Sequence, residues 1–492
     1  MADNFDYNVM GKTSANRKCS RGNVLVFILF ALLIGVVIFI ALTYAFKWQC
    51  DDDENEHTSQ TNNPLSFLLF SDIHLDPWYK AMAGDKYCRN TSIQSAYNAS
   101  YGRPGCDSPL KLLNEVLNGM KSVRAKNITK MDFVMLSGDT CAHGITTNRR
   151  KNALGIMKIT SQAVKLAFPD IPYFPSIGNN DLPGHYVMPT ENDTWYSDLL
   201  EIWKDGILCT NCTRSYPTTS LDELQKTFLY GGYYKVSIAD GSMTLLVLNS
   251  MYWTKSTWIS ADYFQERANK QIAWLKEQLE LANSTGKKVI ITSHIPPGID
   301  TFAEKTLWLS NFTELYMDLV ANKFSEVVAG QIYAHFHKDS FRFLQADKKN
   351  DSLSSYILLM PSVSVVYKNN PNFRIVHLDP DRQAITDYEQ FYMNLVIITE
   401  FNNPIWQLDY KFSTRYPPTG DDDKVINGKR IKHLSDNLIS QTNDSFFIGF
   451  ISSRQVRYQP DSFSRFKYYC AVTYYSQKDY DACNTKYPVQ GG

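Results

Sequence analysis

Leu65-Ser66-Phe67-Leu68-Leu69-Phe70 runs straight into Ser71-Asp72-Ile73-His74. The first six residues are apolar at five positions and short, which reads as a buried β-strand. In extended chain, side chains at i and i+2 share a face, so Asp72 and His74 can chelate one metal ion. The same grammar returns four times. Phe133–Leu136 leads into Ser137-Gly138-Asp139, and Ile171–Ile177 into Gly178-Asn179-Asn180-Asp181. Val289–Thr292 leads into Ser293-His294, and Val327–Tyr333 into Ala334-His335-Phe336-His337. Helical spacing lies between these runs. Leu110, Leu113, Val116, Leu117 and Met120 predict a helix over Pro109–Lys126 with Ser108 as its N-cap. Ile272, Leu275 and Leu279 predict another over Ala268–Ala282. Strands alternating with helices make a layered α/β domain, with the polar clusters at strand ends gathering along one sheet edge.

The five clusters are 67, 40, 115 and 41 residues apart, counted from Asp72 to Asp139, Asn179, His294 and His335. Their chemistry is uniform. Asp139 has two carboxylate oxygens and can bridge two cations; Gly138 before it permits a tight turn. Asn179 offers an amide oxygen, and His294, His335 and His337 offer imidazole nitrogens. A nitrogen and oxygen donor set without thiolate suits Zn, Mn or Fe rather than an iron–sulfur centre. A lone histidine usually fills a hydrogen-bonding niche, but four of only nine falling in such positions point to a metal site.

The 492 residues predict several structural units. Fifty basic and fifty acidic residues give zero formal net charge, so no nucleic-acid binding is implied. Val24–Phe46 is a 23-residue stretch without charge, long enough to span a bilayer. Lys12, Arg17, Lys18 and Arg21 precede it, and acidic residues from Asp51 follow, which places the N-terminus in the cytosol. The expected order is a cytosolic tail (1–23), a transmembrane helix (24–46), a polar stalk (47–64), a catalytic domain (65–388) and a C-terminal subdomain (389–492). Tyr7-Asn8-Val9-Met10 in the tail has the form of an endosomal sorting signal. Nine N-x-S/T acceptors, at Asn90, Asn98, Asn127, Asn192, Asn211, Asn283, Asn311, Asn350 and Asn443, all follow the apolar stretch and fit a glycosylated ectodomain. Eight of the nine cysteines also follow it; 88–106, 209–212 and 470–483 are the close-spaced pairs, with connectivity left open. No second Cys/His pair accompanies Cys209 and Cys212, which argues against a zinc finger there.

D-x-H, G-D, G-N-N-D, S-H and H-x-H in this order resemble the calcineurin-like metallophosphoesterases, and more closely their acid sphingomyelinase-like branch. Tyr101-Gly102 and Gly105-Cys106-Asp107-Ser108-Pro109, Trp274-Leu275, Pro361-Ser362-Val363 and Asn370-Pro371-Asn372-Phe373-Arg374 are similar to that branch too. The resemblance covers about Leu65 to Cys483. It implies a four-layer β-sandwich flanked by helices, a mostly helical C-terminal subdomain and a 470–483 disulfide. It further implies two divalent ions, with zinc foremost: one on Asp72, His74, Asp139 and His337, the other on Asp139, Asn179, His294 and His335. It makes His143 the histidine that stabilises the phosphate or protonates the leaving group.

Two departures matter. Asn180 stands where the branch usually has histidine; an amide donates a hydrogen bond but is no general acid. His143 or His185 then takes that role, or the leaving group needs no acid. Ala334 replaces a usual glycine. Gly-Asn-Asn-Asp behind a single N-terminal anchor also resembles the vacuolar endopolyphosphatases. The expected activity is hydrolysis of phosphodiester or phosphoanhydride bonds by a monomeric, single-pass type II membrane protein. Its domain would be luminal or extracellular, in lysosome, vacuole, endosome or cell surface. The rivals are polyphosphate cleavage and a catalytically silent binding module. About 18 residues between Phe46 and Leu65 leave no room for a lipid-lifting module, which disfavours sphingomyelin itself.

Overall fold

The computed structural model describes residues 64–126, 130–212, 218–346, 353–420, 424–440, 444–459 and 464–487. The expected tail, membrane helix and stalk lie outside the described residues. Among the described residues, no helix is long and apolar enough to cross a membrane.

The run Leu65–Phe70 is β1, buried at every position. A strand covered on both faces needs parallel neighbours joined by helical crossovers. Those follow: α1 (Leu110–Lys126) leads to β2 (Lys130–Leu136), and α2 (Arg149–Ala167) to β3 (Tyr173–Pro175). β1, β2 and β3 pair in parallel. Phe67, Phe133 and Phe174 stack across them, with ring centroids 4.5 and 5.2 Å apart. β3 is shorter than the predicted Ile171–Ile177 because Pro172 and Pro175 bring no amide donor, which an edge strand tolerates.

The chain then forms α3 (Trp195–Leu208), α4 (Leu221–Gly231), β4 (Tyr234–Ile238) and β5 (Met243–Val247). Next come α5 (Asp262–Ser284), β6 (Lys288–Thr292), a hairpin of β7 (Ile299–Asp300) and β8 (Lys305–Thr306), and α6 (Ser310–Asp318). β9 (Val328–Tyr333), β10 (Ser340–Gln345), β11 (Ser354–Leu359), β12 (Asn372–Asp379) and β13 (Ala384–Met393) follow. After α7 (Leu395–Phe401) comes β14 (Trp406–Lys411). The strands make two six-stranded sheets, ordered β14-β13-β12-β1-β2-β3 and β10-β11-β9-β6-β5-β4. Both are mixed: β5, β6, β9 and β11 run parallel in the second sheet, as β1, β2 and β3 do in the first. One continuous core holds residues of both sheets, from Phe67 and Phe133 to Ile290 and Ile332. Where they press together, a Cβ on Gly330 of β9 would lie 2.7 Å from Ile385 of β13. α1 packs on the first sheet through Gly119, against Trp406 of β14.

The C-terminal boundary expected at 388/389 is corrected. It falls inside β13, which runs to Met393 before α7 begins. β13 and β14 complete the first sheet by antiparallel pairing, and Asn62–Gly492 forms one compact unit. A single helical turn, Phe412–Arg415, and four longer helices, Gly428–Asn437, Asp444–Arg454, Arg465–Thr473 and Gln477–Lys486, follow. Gly428–Asn437 covers β10 and β11, and Phe450 meets the rings of Phe341 and Tyr468 edge-to-face in the core. Ser108 is not an N-cap: its hydroxyl is buried without a partner, and Pro109 accepts the first helical hydrogen bonds through its carbonyl. Disulfides join Cys88–Cys106, Cys209–Cys212 and Cys470–Cys483, and Cys141 is buried as a free thiol. Asn90, Asn98, Asn192, Asn211, Asn283 and Asn311 are all exposed, while Asn127, Asn350 and Asn443 lie outside the described residues.

Candidate metal centre

Parallel strands of one sheet end on the same side, and ligands gather beyond their carboxyl ends. Here two sheets contribute. β1, β2 and β3 deliver Asp72 and His74, Asp139, and Asn179 and Asn180; β6 and β9 deliver His294, and His335 and His337. Backbone hydrogen bonds knit the loops: Asp72 N–H donates to Gly138 O at 3.0 Å, and His74 N–H to Asp139 O at 3.1 Å. Ala334 N–H donates to His294 O at 2.9 Å.

The structure brings all seven predicted ligands together in two overlapping groups. In the first, Nε2 of His337 lies 3.3 Å from Asp72 Oδ1 and 3.1 Å from His74 Nε2. His74 Nε2 is 3.6 Å from Asp139 Oδ2. In the second, His294 Nε2 is 3.3 Å from Asp139 Oδ2 and 3.2 Å from Asn179 Oδ1, and His335 joins Asp139 and His294. Asp139 stands between them.

Several features fit cation binding. Asp72 Oδ1 is buried and has no hydrogen-bond donor. His74 and His337 point ring nitrogens at one another, an arrangement a cation between them resolves. Nδ1 of His74 is occupied by Cys141 O at 3.0 Å, and Nδ1 of His294 by Ser137 O at 2.8 Å. Each carbonyl fixes the tautomer that leaves Nε2 as donor to a metal. Burial lowers the histidines: His74 to about 4, His335 to about 3, and His337 well below the usual range. They are neutral at neutral pH, as metal ligation requires. Burial raises Asp72 to about 7, only partly offset by His294. Burial also opposes ionisation of Asp139, yet His294, His74 and the Asn180 amide hold it well below the ordinary value.

The three residues considered for catalysis fall into different places. His143 lies over His74, ring centroids 4.1 Å apart. Its Nδ1 meets Asp107 Oδ1 at 2.9 Å and its backbone N–H donates to Asp107 Oδ2 at 2.6 Å. Burial opposes its protonation, but the bond to Asp107 and the charges of Asp107, Asp139 and Asp72 outweigh it and raise the pKa. Asn180 gives its backbone N–H to Asp139 Oδ1 at 2.7 Å and its side-chain amide to Oδ2 at 2.9 Å. It therefore orients the shared carboxylate. His185 Nε2 sits 3.3 Å from Asn179 Nδ2, and burial lowers its pKa. As a neutral acceptor it holds the Asn179 amide so that Oδ1 faces His294.

Two carboxylates were not identified as site residues from the sequence. Asp107 pairs with His143 across 36 residues, a separation without a local signature, although it follows Cys106 in a segment that already stood out. Asp181, in Gly-Asn-Asn-Asp, is fully buried and accepts from the backbone N–H groups of Thr140, Cys141 and Gly178 at 2.9, 3.0 and 3.0 Å. It staples the Asp139 loop to the Asn179 loop.

No family model matches the chain. Curated relatives do. A sphingomyelinase phosphodiesterase D from Dictyostelium discoideum is 28% identical over 367 residues, covering 74% of this chain and 77% of its own length. An acid sphingomyelinase-like phosphodiesterase 3b from Homo sapiens is 27% identical, covering 72% and 76%. A cyclic GMP-AMP phosphodiesterase from Bos taurus is 26% identical, covering 71% and 75%. Among solved structures, an NAD nucleotidase from Haemophilus influenzae matches with 12% identity and a TM-score of 0.31, over 79% of this chain and 60% of its own, a likeness too loose to add to the fold. The resemblance read from the motifs is borne out by these relatives: the chain is a homologue of the acid sphingomyelinase-like phosphodiesterases.

Proposed function

We propose that the chain hydrolyses phosphodiester or phosphoanhydride bonds at a centre of two divalent ions. The observation that carries this reading is the position of Asp139, one carboxylate serving two donor groups built from five strand ends. Asp72, His74, Asp139 and His337 would hold one ion, and Asp139, Asn179, His294 and His335 the other. Such a pair, whose nitrogen and oxygen donors suit zinc, manganese or iron, would supply Lewis-acid polarisation of a phosphoryl group and activation of water. The chain supplies the rest. Asn180 fixes the Asp139 carboxylate, and His185 fixes the Asn179 amide. His143, held on Nδ1 by Asp107, carries on Nε2 the proton that a departing alcohol needs.

That proton favours phosphodiesters over polyphosphate. Polyphosphate leaves readily without an acid, and Asn180 in place of histidine is consistent with it. His143 nevertheless has its carboxylate partner and a raised pKa, which an unaided leaving group does not require. The relatives are named for sphingomyelin-type and cyclic GMP-AMP phosphodiester cleavage. The exposed glycosylation acceptors support a luminal or extracellular domain, and the apolar Val24–Phe46 supports a type II anchor.

The test is hydrolysis by the purified protein of bis-p-nitrophenyl phosphate, cyclic dinucleotides, sphingomyelin and polyphosphate, with Asp139→Asn as control. Metal-dependent cleavage of diesters, lost in the control, is expected. Cleavage of polyphosphate alone moves the chain to the endopolyphosphatase reading. A metal-free chain inert on all four substrates would be a binding module.

A further inference from the structure

The segment between β1 and α1, residues 71–109, forms neither helix nor sheet strand. An ordered loop of that length is uncommon and usually functional. The Cys88–Cys106 disulfide holds it, within a small cluster completed by Ala83 and Tyr79. The neighbours of its two cysteines both reach His143. Asp107, beside Cys106, takes the backbone N–H and Nδ1 of His143. Arg89, beside Cys88, gives Nη2 to the carbonyl of His143 at 2.8 Å and Nη1 to that of Gly144 at 3.0 Å. Its third nitrogen, Nε, donates to Asp76 Oδ2 at 2.7 Å. Asp76 is tied back by its backbone N–H to Ser108 O at 2.8 Å.

We propose that the Cys88–Cys106 disulfide and Arg89 form a clamp that positions His143 for proton donation. This rests on the role given to His143 above. The clamp works from both ends of one residue: the carboxylate fixes the ring, the guanidinium fixes the backbone, and the disulfide fixes their separation. No other residue type does what Arg89 does here, because a planar guanidinium spans two adjacent carbonyls and a carboxylate at once. Trp78 and Tyr87 lie beside the guanidinium, with centroids 5.5 and 5.3 Å from its carbon, and limit its movement. None of these groups belongs to the seven-ligand set, although the ring of His143 lies over that of His74, so metal content is read on every variant. Arg89 and the two cysteines are positioning residues; they act through His143. Cutting the disulfide should impair protonation of the leaving group and spare the metals.

The experiment uses the full-length, metal-loaded protein and two variants, Arg89→Gln and the double serine variant Cys88→Ser/Cys106→Ser. Turnover is measured on aryl methyl phosphodiesters whose phenols range from p-nitrophenol, which departs without a proton, to phenol, which needs one. Each variant should lose less than about threefold in kcat on the nitrophenyl ester and about 30- to 100-fold on the phenyl ester, within the range that general acids contribute. KM and metal content should not change. A loss equal across the series, or loss of metal, overturns the clamp in favour of a merely structural loop. A second readout does not use activity: the downfield Nδ1–H proton resonance of His143, identified by its disappearance in His143→Gln. It should vanish or exchange faster in both variants, and its persistence in both refutes the proposal. If the wild type cleaves no ester, the function proposed above fails, and the resonance still decides whether the clamp exists.

Discussion

Replacing Asp181 tests whether the two ligand loops are held by one buried carboxylate. Its Oδ1 accepts from Thr140 and Cys141, and its Oδ2 from Gly178. Asp181→Ala leaves three buried N–H donors without partners. Each costs about 1–3 kcal/mol, so the loss is about 3–9 kcal/mol, at the lower end if water enters the space. With an unfolding entropy of about 2.1 cal/mol/K per residue over a domain of this length, the midpoint falls by roughly 3–10 °C. Asp181→Asn keeps the shape. Its oxygen can serve Thr140 and Cys141, but its amide then faces the Gly178 donor, so one bond is lost, about 1–3 kcal/mol. Burial, with help from the Asp139 charge, raises Asp181 to about 6, so removing an anion beside Asp139 relieves repulsion and trims that cost further. The expected order is wild type, Asn, then Ala, read by thermal unfolding of the full-length protein with metal content on the same samples. Asp181→Ala should also lose metal, since it uncouples Asp139 from Asn179. An alanine variant that melts with the wild type and retains its ions would refute the reasoning.

Other perturbations separate the parts of the site. In Asp107→Asn, the burial of His143 is opposed only by the more distant charges of Asp139 and Asp72, so its pKa falls; a group that must be protonated then fails at lower pH. The alkaline limb of the kcat profile should move acidward, with about 10²-fold lower kcat on poor leaving groups; an unmoved limb would deny His143 its role. Metal loading should release protons. Without metal, burial raises Asp72 to about 7, while Asp139 and Asp72 overcome burial to raise His294 to about 9. Ligands bind deprotonated, so calorimetry in buffers of different ionisation enthalpy should show at least about one proton released per chain at pH 7, declining above pH 9. Gly138→Ala should abolish metal binding, because its Cβ would lie 2.7 Å from Nδ1 of His294 at a positive φ; retained metal content would count against this packing.

What was legible in the sequence follows from distance along the chain. Asp72 and His74, or His335 and His337, announce themselves because a strand and its ligands are contiguous. Each such junction reads locally, and only their meeting point needs the fold. The second tier does not read that way. Asp107 serves His143 and Asp181 serves three amides, and a backbone amide has no sequence identity to match. The C-terminal boundary failed for a related reason. β13 carries Glu389 and Gln390, polar enough to end a buried strand on paper. Gln390 is nevertheless fully buried, taking Nε of Arg374 at 2.6 Å, and Arg374 in turn pairs with Asp339 at 2.5 Å. A core that hides charge in pairs conceals its strands from any reading based on apolar runs. The short β3 shows the converse: Tyr173–Pro175 keeps a ladder only to β2, so its two prolines cost it length and not its place.

The backbone at the site deepens this. Asp72, His74, Asp139, His335 and His337 all have positive φ, between 44° and 75°. That region costs an ordinary L-residue about 1–2 kcal/mol, and it recurs where function holds strain in place. Here it has a geometric purpose. A left-handed residue two to four positions past a strand end turns the chain early, so the ligand stays near the sheet edge instead of continuing outward. Asp, Asn and His are also the non-glycine residues that tolerate this conformation best. Metal chemistry and chain geometry therefore select the same residue types at the same positions. The strain is held by the cross-loop bonds from Asp72 to Gly138 and from His74 to Asp139, and by Asp181 beneath them. It follows that a ligand replaced by a β-branched residue damages the turn as well as the donor set. Asn at Asp139 removes a charge but keeps the turn, which makes Asp139→Asn, rather than a valine or threonine variant, the substitution that isolates chemistry from folding.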